Sequence, residues 1–214
     1  MTMPQYHWLG RQSYAPFLQN MQQRATAIAA AEAGELIWAC EHEPVYTTGW
    51  RGIDNRSAAV LPAPWLATDR GGQTTFHGPG QLMLYPLISL RQRKISVRHY
   101  IAIFEQSVID LLQQFNLTAY RRCGMAGVWT DEGKIAAIGM RVSNGVAYHG
   151  MALNVDADLQ YFRVINPCGT GLKAVNLKSY VEVSDSMQQI AGRWQDIFQA
   201  AIQSESHGEI GHCP

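Results

Sequence analysis

The sequence lacks the features that mark several large classes of protein. Its 17 lysines and arginines balance 17 aspartates and glutamates, so the formal net charge is zero and binding of nucleic acid through overall charge is disfavoured. No apolar run approaches the roughly 18 residues of a membrane span. The first seven residues lack the charged start and apolar stretch of a signal peptide. We therefore expect a protein that binds neither nucleic acid nor membrane and is cytoplasmic, or organellar with its transit peptide already removed.

Paired cysteine spacings and nucleotide-binding motifs are also missing. The sequence contains four cysteines, none of them in a C-x-x-C pair: Cys40, Cys123, Cys168 and Cys213. Without paired spacing we expect reduced thiols and no metal. Cys40-x-His42 and His212-Cys213 offer metal-binding atoms, but a buried core thiol and a mobile tail explain them more simply. The sequence has no G-x-x-x-x-G-K-S/T phosphate loop, and no G-x-G-x-x-G motif follows a predicted strand.

The predicted elements follow the order of an α+β domain. Apolar residues spaced three and four apart predict helices at 13–33, after Ser96, and at 186–202. Short apolar runs predict strands at 36–40 and 45–48, before a long loop over 49–66. The dipeptide Asn144-Gly145 predicts a hairpin within a meander of strands at 127–130, 134–142 and 146–155. We expect a single domain over 1–203 and a flexible tail over 204–214.

A glycine-rich segment from Arg70 to Gln81 is the most unusual part of the sequence. Its four glycines allow the backbone to approach a ligand closely. Arg70, Gln73 and His77 add polar groups to the same segment. A tight turn between two strands is the alternative interpretation, but the arginine before the first glycine pair and the histidine before the second favour a binding loop.

Three further positions carry reactive or ionisable groups. Cys168 lies between a proline and a glycine, which presents its thiol at a turn. A free thiol has a pKa of about 8.5, so a reactive cysteine needs a cation or base nearby; an incidental loop cysteine is the alternative. Lys134 opens an apolar strand, where loss of solvation favours proton exchange, although an ordinary hairpin lysine fits the same position. His149, beside Gly150, adds an imidazole that a structural role would also explain.

The sequence resembles the lipoyl/octanoyl transferases, which move an octanoyl group from acyl carrier protein to lipoyl domains. Six segments occur in the family's order and together cover about residues 36 to 170: 41–49, 70–81, 127–129, 133–139, 149–155 and 167–169. The resemblance implies the fold of the biotin/lipoate protein ligase catalytic domain, with a mixed sheet, an antiparallel meander and flanking helices. One departure follows Gly169, where many members continue Gly-Val-Thr-Ser-Leu and this chain has a different sequence from Thr170 to Leu177.

The resemblance also implies roles for individual residues. Cys168 would carry the acyl group as the nucleophile, and Lys134 would be its acid–base partner. The acyl pocket would be lined by residues from three segments: Arg70, Gly71, Gly72, Gln73, Thr74, Thr75, Phe76 and His77; Ala137, Ile138 and Gly139; and His149, Gly150, Met151 and Ala152. No cofactor and no metal are implied.

The implied reaction transfers an octanoyl or lipoyl group by way of a Cys168 thioester. The donor would be octanoyl-acyl carrier protein. The acceptors would be lysines of the lipoyl domains of 2-oxoacid dehydrogenase complexes and of the glycine cleavage H protein, as the first step of protein lipoylation from endogenous octanoate. We expect a monomer. Because carrier proteins are acidic, we also expect a basic docking surface, either at Arg91, Arg93, Lys94 and Arg98 or at Arg121 and Arg122.

Three other functions remain open at this point. A cysteine-dependent acyl thioesterase or hydrolase would use the same pair of residues and admit water. An ATP-dependent lipoate ligase on the same fold would need a nucleotide site and no thiol nucleophile. A non-catalytic acyl-binding module would tolerate loss of Cys168.

Overall fold

The protein is represented by a computed structural model that describes residues 2–50, 52, 61–165 and 173–204. Its helices are α1 (Tyr14–Ala29), α2 (Leu90–Arg93), α3 (Val97–Gln113) and α4 (Met187–Ser204). Its strands are β1 (Gln5–Gln12), β2 (Leu36–His42), β3 (Val45–Thr48), β4 (Trp65–Ala67), β5 (Thr74–His77), β6 (Gln81–Ser89), β7 (Tyr120–Arg122), β8 (Met125–Trp129), β9 (Lys134–Ser143) and β10 (Val146–Asn154).

The main sheet has seven strands in the order β1-β2-β6-β10-β9-β8-β7. The β1 and β2 strands run parallel, and every other neighbouring pair in this sheet is antiparallel. A second sheet of three strands has the order β4-β3-β5. The mixed sheet and the antiparallel meander β8-β9-β10 confirm the predicted fold class.

Helices cover both faces of the main sheet, so its central strands are buried throughout. Along β6, Leu82, Leu84 and Ile88 pack into the core with α3 and α4, while Met83, Tyr85 and Leu87 pack into the core with α1. This alternation is the period of two that a strand imposes on its side chains. All nine residues of β6 and of β10 are buried, which places any cavity beside these strands in an apolar surrounding.

The helices and the hairpin confirm the main sequence predictions. Ser13 and Ser96 are the N-cap residues of α1 and α3, and the Ser96 side chain accepts a hydrogen bond from His99 N. The β9–β10 connection is a two-residue turn in which Asn144 and Gly145 both have positive φ, at 49° and 82°. A type I′ turn needs this conformation at both positions, and it suits Asn-Gly.

Four expectations require correction. The β1 strand was not predicted, α1 ends at Ala29 rather than near residue 33, and the predicted loop over 49–66 ends in β4. Cys123 is disulfide-bonded, so the expectation of four reduced thiols is wrong for this residue. Cys40 is a buried free thiol. The predicted tail lies outside the described residues from 205 onward.

The predicted docking surface at Arg91, Arg93, Lys94 and Arg98 loses one member. Arg93 is buried, and its Nε lies 3.0 Å from both carboxylate oxygens of Glu35. The other three side chains are exposed. Because its guanidinium is bonded inside the molecule, Arg93 cannot present charge to a partner. Among the described residues no helix is both long and apolar enough to cross a membrane.

Candidate active site

A pocket opens between the segment 70–77 and the strands β6, β9 and β10. Its wall contains Lys134 and most of the pocket residues implied by the resemblance: Arg70, Gly72, Gln73, Thr74, Thr75, His77, Ala137, Ile138, Gly139, His149, Gly150 and Ala152. The structure thus brings three segments that are distant in the sequence to one cavity.

Three further predicted residues lie beside this wall. The N–H of Gly71 donates to the carbonyl of Met140 on β9 at 2.9 Å. Phe76 is buried, with its ring stacked 4.2 Å from the ring of Tyr161. Met151 is buried in the core on the side of α3 and α4. These three residues are not among those that line the cavity.

Several residues of the wall were not predicted: Tyr14, Gln81, Met83, Tyr85, Trp129, Asn154, Phe162 and Ala174. The aromatic residues and Met83 have the pattern of ordinary core positions, so the sequence offers no separate signal for them. Gln81 and Asn154 do carry a signal, because each is a buried polar residue at the end of an apolar strand. Such residues need hydrogen-bond partners.

Arg70 fixes the shape of the glycine-rich segment. It is buried, and its guanidinium donates to Thr47 O at 2.6 Å, Gly71 O at 2.9 Å and Gln73 O at 2.8 Å. Its side chain also crosses Gly139, where an added Cβ would lie 3.2 Å from Arg70 Cδ and 3.0 Å from Gly71 O. The arginine therefore ties the segment to β3 and packs it against β9.

His149 occupies a strained backbone position at the pocket wall. Consecutive residues of a strand point to opposite faces, yet Tyr148 and His149 both bond to Asp69, with His149 Nε2 2.7 Å from Asp69 Oδ1. The φ of His149 is +59°, a conformation that costs a non-glycine residue about 1–3 kcal/mol. Strain of this kind is concentrated at functional sites.

The protonation of this cluster follows from its contacts. Burial raises the pKa of Asp69, but hydrogen bonds from His149 and Tyr148 outweigh it and hold the pKa well below its usual range. Burial lowers the pKa of His149, opposed by Asp69. Because the Asp69 carboxylate only accepts, His149 Nε2 carries the proton. The neutral ring then has an acceptor lone pair on Nδ1, a buried atom with no hydrogen-bond partner among the residues that the structure describes.

A second chain of hydrogen bonds sets the tautomer of His77. The carbonyl of Val175 can only accept, so Asn154 Nδ2 donates to it at 3.2 Å and Asn154 Oδ1 faces Gln81. Gln81 Nε2 donates to that oxygen at 2.7 Å, which leaves Gln81 Oε1 2.8 Å from His77 Nδ1. Burial, followed by the charge of Arg70, keeps the pKa of His77 well below its usual value. His77 is therefore neutral, with its proton on Nδ1 and an acceptor at Nε2.

Lys134 begins β9 at the pocket wall. Its Nζ donates to the carbonyl of Ala126 at 2.8 Å and lies 4.6 Å from the centre of the Trp129 ring. Its backbone pairs with the segment 173–175, through Lys134 N to Lys173 O at 2.9 Å and Val175 N to Lys134 O at 3.1 Å.

The predicted nucleophile, Cys168, lies outside the described residues. The described chain on both sides of it belongs to the pocket wall, since Phe162 and Ala174 both line the cavity and each is six residues from Cys168. The described residues contain no group of three or more histidine, cysteine or acidic side chains that could hold a metal ion.

A family comparison agrees with this architecture. The model of the lipoyl protein ligase A/B catalytic domain matches residues 14–199, which is most of the chain. The chain belongs to this family. The match spans α1 to α4 and every strand except β1, so membership in the lipoyl protein ligase A/B family rests on the whole of the fold that surrounds the pocket.

Known members of the family are close in sequence. The chain is 49% identical over 173 residues to an octanoyltransferase from Dechloromonas aromatica, with 80% of this chain and 84% of the relative covered. It is 45% identical over 196 residues to an octanoyltransferase from Thiobacillus denitrificans, with 92% and 89% covered. These values confirm the resemblance drawn from the motifs.

A solved structure of the family confirms the fold. Lipoate-protein ligase A bound with ATP superimposes with a TM-score of 0.75 at 14% sequence identity, over 94% of this chain and 86% of the ligase. At that identity the comparison shows the shared lipoyl protein ligase fold alone. The predicted mixed sheet with flanking helices is therefore confirmed.

Proposed function

We propose that this protein is an octanoyltransferase of protein lipoylation. The observation that carries the proposal is its 45–49% identity, over 80–92% of the chain, to relatives named octanoyltransferase. The pocket fits the task, because its wall combines apolar side chains with a lysine at the start of β9. Each buried methylene of an acyl chain contributes about 0.8 kcal/mol, so an octanoyl group would bind chiefly through its hydrocarbon tail.

Cys168 is proposed as the nucleophile and Lys134 as its acid–base partner. The Cys168 thiolate attacks the carbonyl carbon of the octanoyl thioester. The tetrahedral intermediate collapses as the carbon–sulfur bond to the donor breaks, and Lys134 gives a proton to the departing thiol. This step leaves octanoyl-Cys168 and a neutral Lys134 amine.

The second half of the reaction restores both groups. The amine of the acceptor lysine attacks the carbonyl carbon of octanoyl-Cys168, and Lys134 takes the proton that this amine loses. The amide forms as Cys168 leaves as a thiolate. Exchange of one thioester for another is nearly isoenergetic and conversion of a thioester to an amide is downhill, so the reaction requires no nucleotide.

Support for the pairing of these two residues comes from the chain around Cys168. Phe162 and Ala174, described residues on either side of it, both line the cavity, and the neighbours of Ala174 bond to the backbone of Lys134. Each of these two residues is six positions from Cys168, and six fully extended residues span at most about 20 Å, which supports a nucleophile that acts at this cavity.

The proposed partners are octanoyl-acyl carrier protein as donor and lipoyl domains of 2-oxoacid dehydrogenase complexes and the glycine cleavage H protein as acceptors. With Arg93 bonded to Glu35, the basic docking surface is proposed at the exposed Arg91, Lys94 and Arg98, or at Arg121 and Arg122. Action as a monomer in the cytoplasm, and a single catalytic domain over 1–203, stay predictions.

The decisive experiment measures the acyl-enzyme directly. Incubation of the reduced protein with octanoyl-acyl carrier protein should add the mass of one octanoyl group, and Cys168→Ser should abolish this adduct. Lys134→Ala should slow both half-reactions by roughly 10²–10⁴-fold. Lys178→Ala is the matched control, because Lys178 is exposed and bonds to the exposed Asp156 at 2.8 Å.

The products separate transfer from its alternatives. With a lipoyl domain present, the octanoyl group should appear as a lysine amide rather than as free octanoate, whereas a hydrolase would release the acid. Normal turnover by Cys168→Ser would refute the nucleophile assignment, and ATP-dependent transfer from free octanoate would favour a ligase.

A further inference from the structure

Glu105 is a buried carboxylate next to the Lys134 side chain. The sequence pattern of α3 places it away from the apolar stripe, yet only 7% of its surface is exposed. Its Oε1 accepts a hydrogen bond from the N–H of Gly127 at 2.7 Å. A buried acid is costly unless its charge is compensated, and this one lies where the proposed reaction has its acid–base group.

One peptide group connects Glu105 to Lys134. The peptide between Ala126 and Gly127 gives its N–H to Glu105 Oε1, and its carbonyl accepts from Lys134 Nζ at 2.8 Å. A carboxylate at the N–H end and an ammonium at the carbonyl end both strengthen the dipole of the same peptide, so the two hydrogen bonds reinforce each other.

The position of this peptide depends on Gly127. Its φ is +120°, and a Cβ at this residue would lie 2.4 Å from Ala136 O and 3.2 Å from Lys134 Cε. The glycine therefore lets β8 approach β9 closely enough for the lysine side chain to lie across it. Trp129, two residues further along β8, lies under the ammonium.

We propose that Glu105 is the positioning residue of the acyl transfer, holding the Lys134 ammonium at the pocket wall through the Ala126–Gly127 peptide. The inference rests on the proposed function of Lys134 and extends it to a residue on α3. Glu105 does not touch the reacting atoms; it sets where the Lys134 amine lies and how readily it gives up its proton.

Two arginines of β7 lie in the described surroundings of Glu105 and Trp129. Arg122 on β7 lies 4.9 Å from the centre of the same Trp129 ring. Burial raises the pKa of Glu105. The positive charges of Arg121, also on β7, and of Lys134 oppose this rise. The segment 173–175 contacts Lys134 through backbone atoms, as described above. Among the described residues, the carboxylate of Glu105 thus favours the charge of the ammonium, and Arg122, which shares the Trp129 ring with it, opposes it.

The test removes the charge of Glu105 and keeps its shape. In Glu105→Gln the side-chain oxygen can still accept from Gly127, but the ammonium loses the carboxylate. Loss of the negative charge removes an attraction that favours the ammonium, so the Lys134 amine should titrate at a lower pH in the variant than in the parent. The protein has four lysines, so ¹³C-labelled lysine gives few Cε resonances, and Lys134→Arg assigns the one that matters.

Kinetics supply the second readout. Acyl-enzyme formation requires the protonated lysine, so the alkaline limb of its pH–rate profile should move by the same amount. Far along the alkaline limb the rate is proportional to the protonated fraction, so kcat at a fixed pH should fall roughly 10-fold for each unit by which the limb moves, while KM for the donor changes little. Glu132→Gln is the matched control, because it removes the same charge from the exposed turn before β9. It should alter neither readout.

The outcomes distinguish this inference from the proposed function. If Glu105→Gln lowers thermal stability but leaves the Lys134 titration unchanged, Glu105 is only a structural residue and the inference is wrong. If Glu105→Gln does not fold, Glu105→Asp, which keeps the charge but withdraws it from the Gly127 N–H by one methylene, must displace the Lys134 resonance. A shifted titration together with full activity in Lys134→Ala would uphold the contact and refute the role of Lys134.

Discussion

The acyl pocket can be tested by shortening it. Ala152 on β10 lies opposite Met83 on β6 and Ala137 on β9, and all three line the cavity. Ala152 is buried, next to Tyr14 and Tyr85 in the same core cluster. Ala152→Leu would therefore add three carbon atoms to the wall of the pocket.

The size of the effect follows from the methylenes displaced. Three added carbons exclude about three methylenes of the acyl chain, each contributing about 0.8 kcal/mol when buried. The binding free energy of the octanoyl chain should weaken by about 2.4 kcal/mol. This corresponds to a reduction in kcat/KM of roughly 50-fold. A donor three carbons shorter should lose little, because its chain would end before the new side chain.

The assay compares kcat/KM for carrier-protein thioesters of four to ten carbons in the parent and the variant. Ala30→Leu, which adds the same carbons at an exposed position after α1, should leave the chain-length profile unchanged. An Ala152→Leu protein that folds normally and keeps the parental preference for eight carbons would show that this cavity does not hold the acyl chain.

Two further predictions concern stability. Burial lowers the pKa of His42 to about 4 and that of His77 well below its usual value. Between pH 6.5 and 4 the unfolded chain therefore binds more protons than the folded one, so the free energy of unfolding should rise with pH through this window and level off above it. The rise should be roughly 3 kcal/mol for His42 alone. Urea denaturation at a series of pH values measures it, and a flat profile would contradict the buried neutral histidines. Arg93→Met should lower the free energy of unfolding by about 3–5 kcal/mol, because it leaves Glu35 without its cation. Thermal unfolding measures this loss, and a loss below about 1 kcal/mol would contradict the buried ion pair.

The local parts of the fold could be predicted from the sequence. Residues spaced three and four apart in α1, such as Phe17, Met21 and Ala25, are buried as their spacing requires. Asn144-Gly145 forms the hairpin because few other pairs tolerate two consecutive positive φ angles. These signals depend on neighbours within a few residues, so the chain alone contains them.

The resemblance drawn from the sequence motifs named most of the residues that line this cavity. Arg70, His77, Lys134 and His149 lie on one cavity, although up to 79 residues separate them in the chain. Glycines of the motifs mark close approaches, as at Gly150, where a Cβ would lie 1.8 Å from Leu84 O. Motif order was sufficient to predict this grouping.

Only the tertiary structure decided which polar groups meet, because hydrogen bonds across the sheet leave no local pattern. In the folded chain Arg93 is bonded to Glu35 in the interior, and β1 pairs with β2 in parallel. A chain of hydrogen bonds also connects His77 to Val175, by way of Gln81 and Asn154. The tertiary structure also buried Glu105, on α3, against a peptide of β8. The sequence determines which side chains are available and how each segment folds, whereas long-range packing determines where each proton and charge resides.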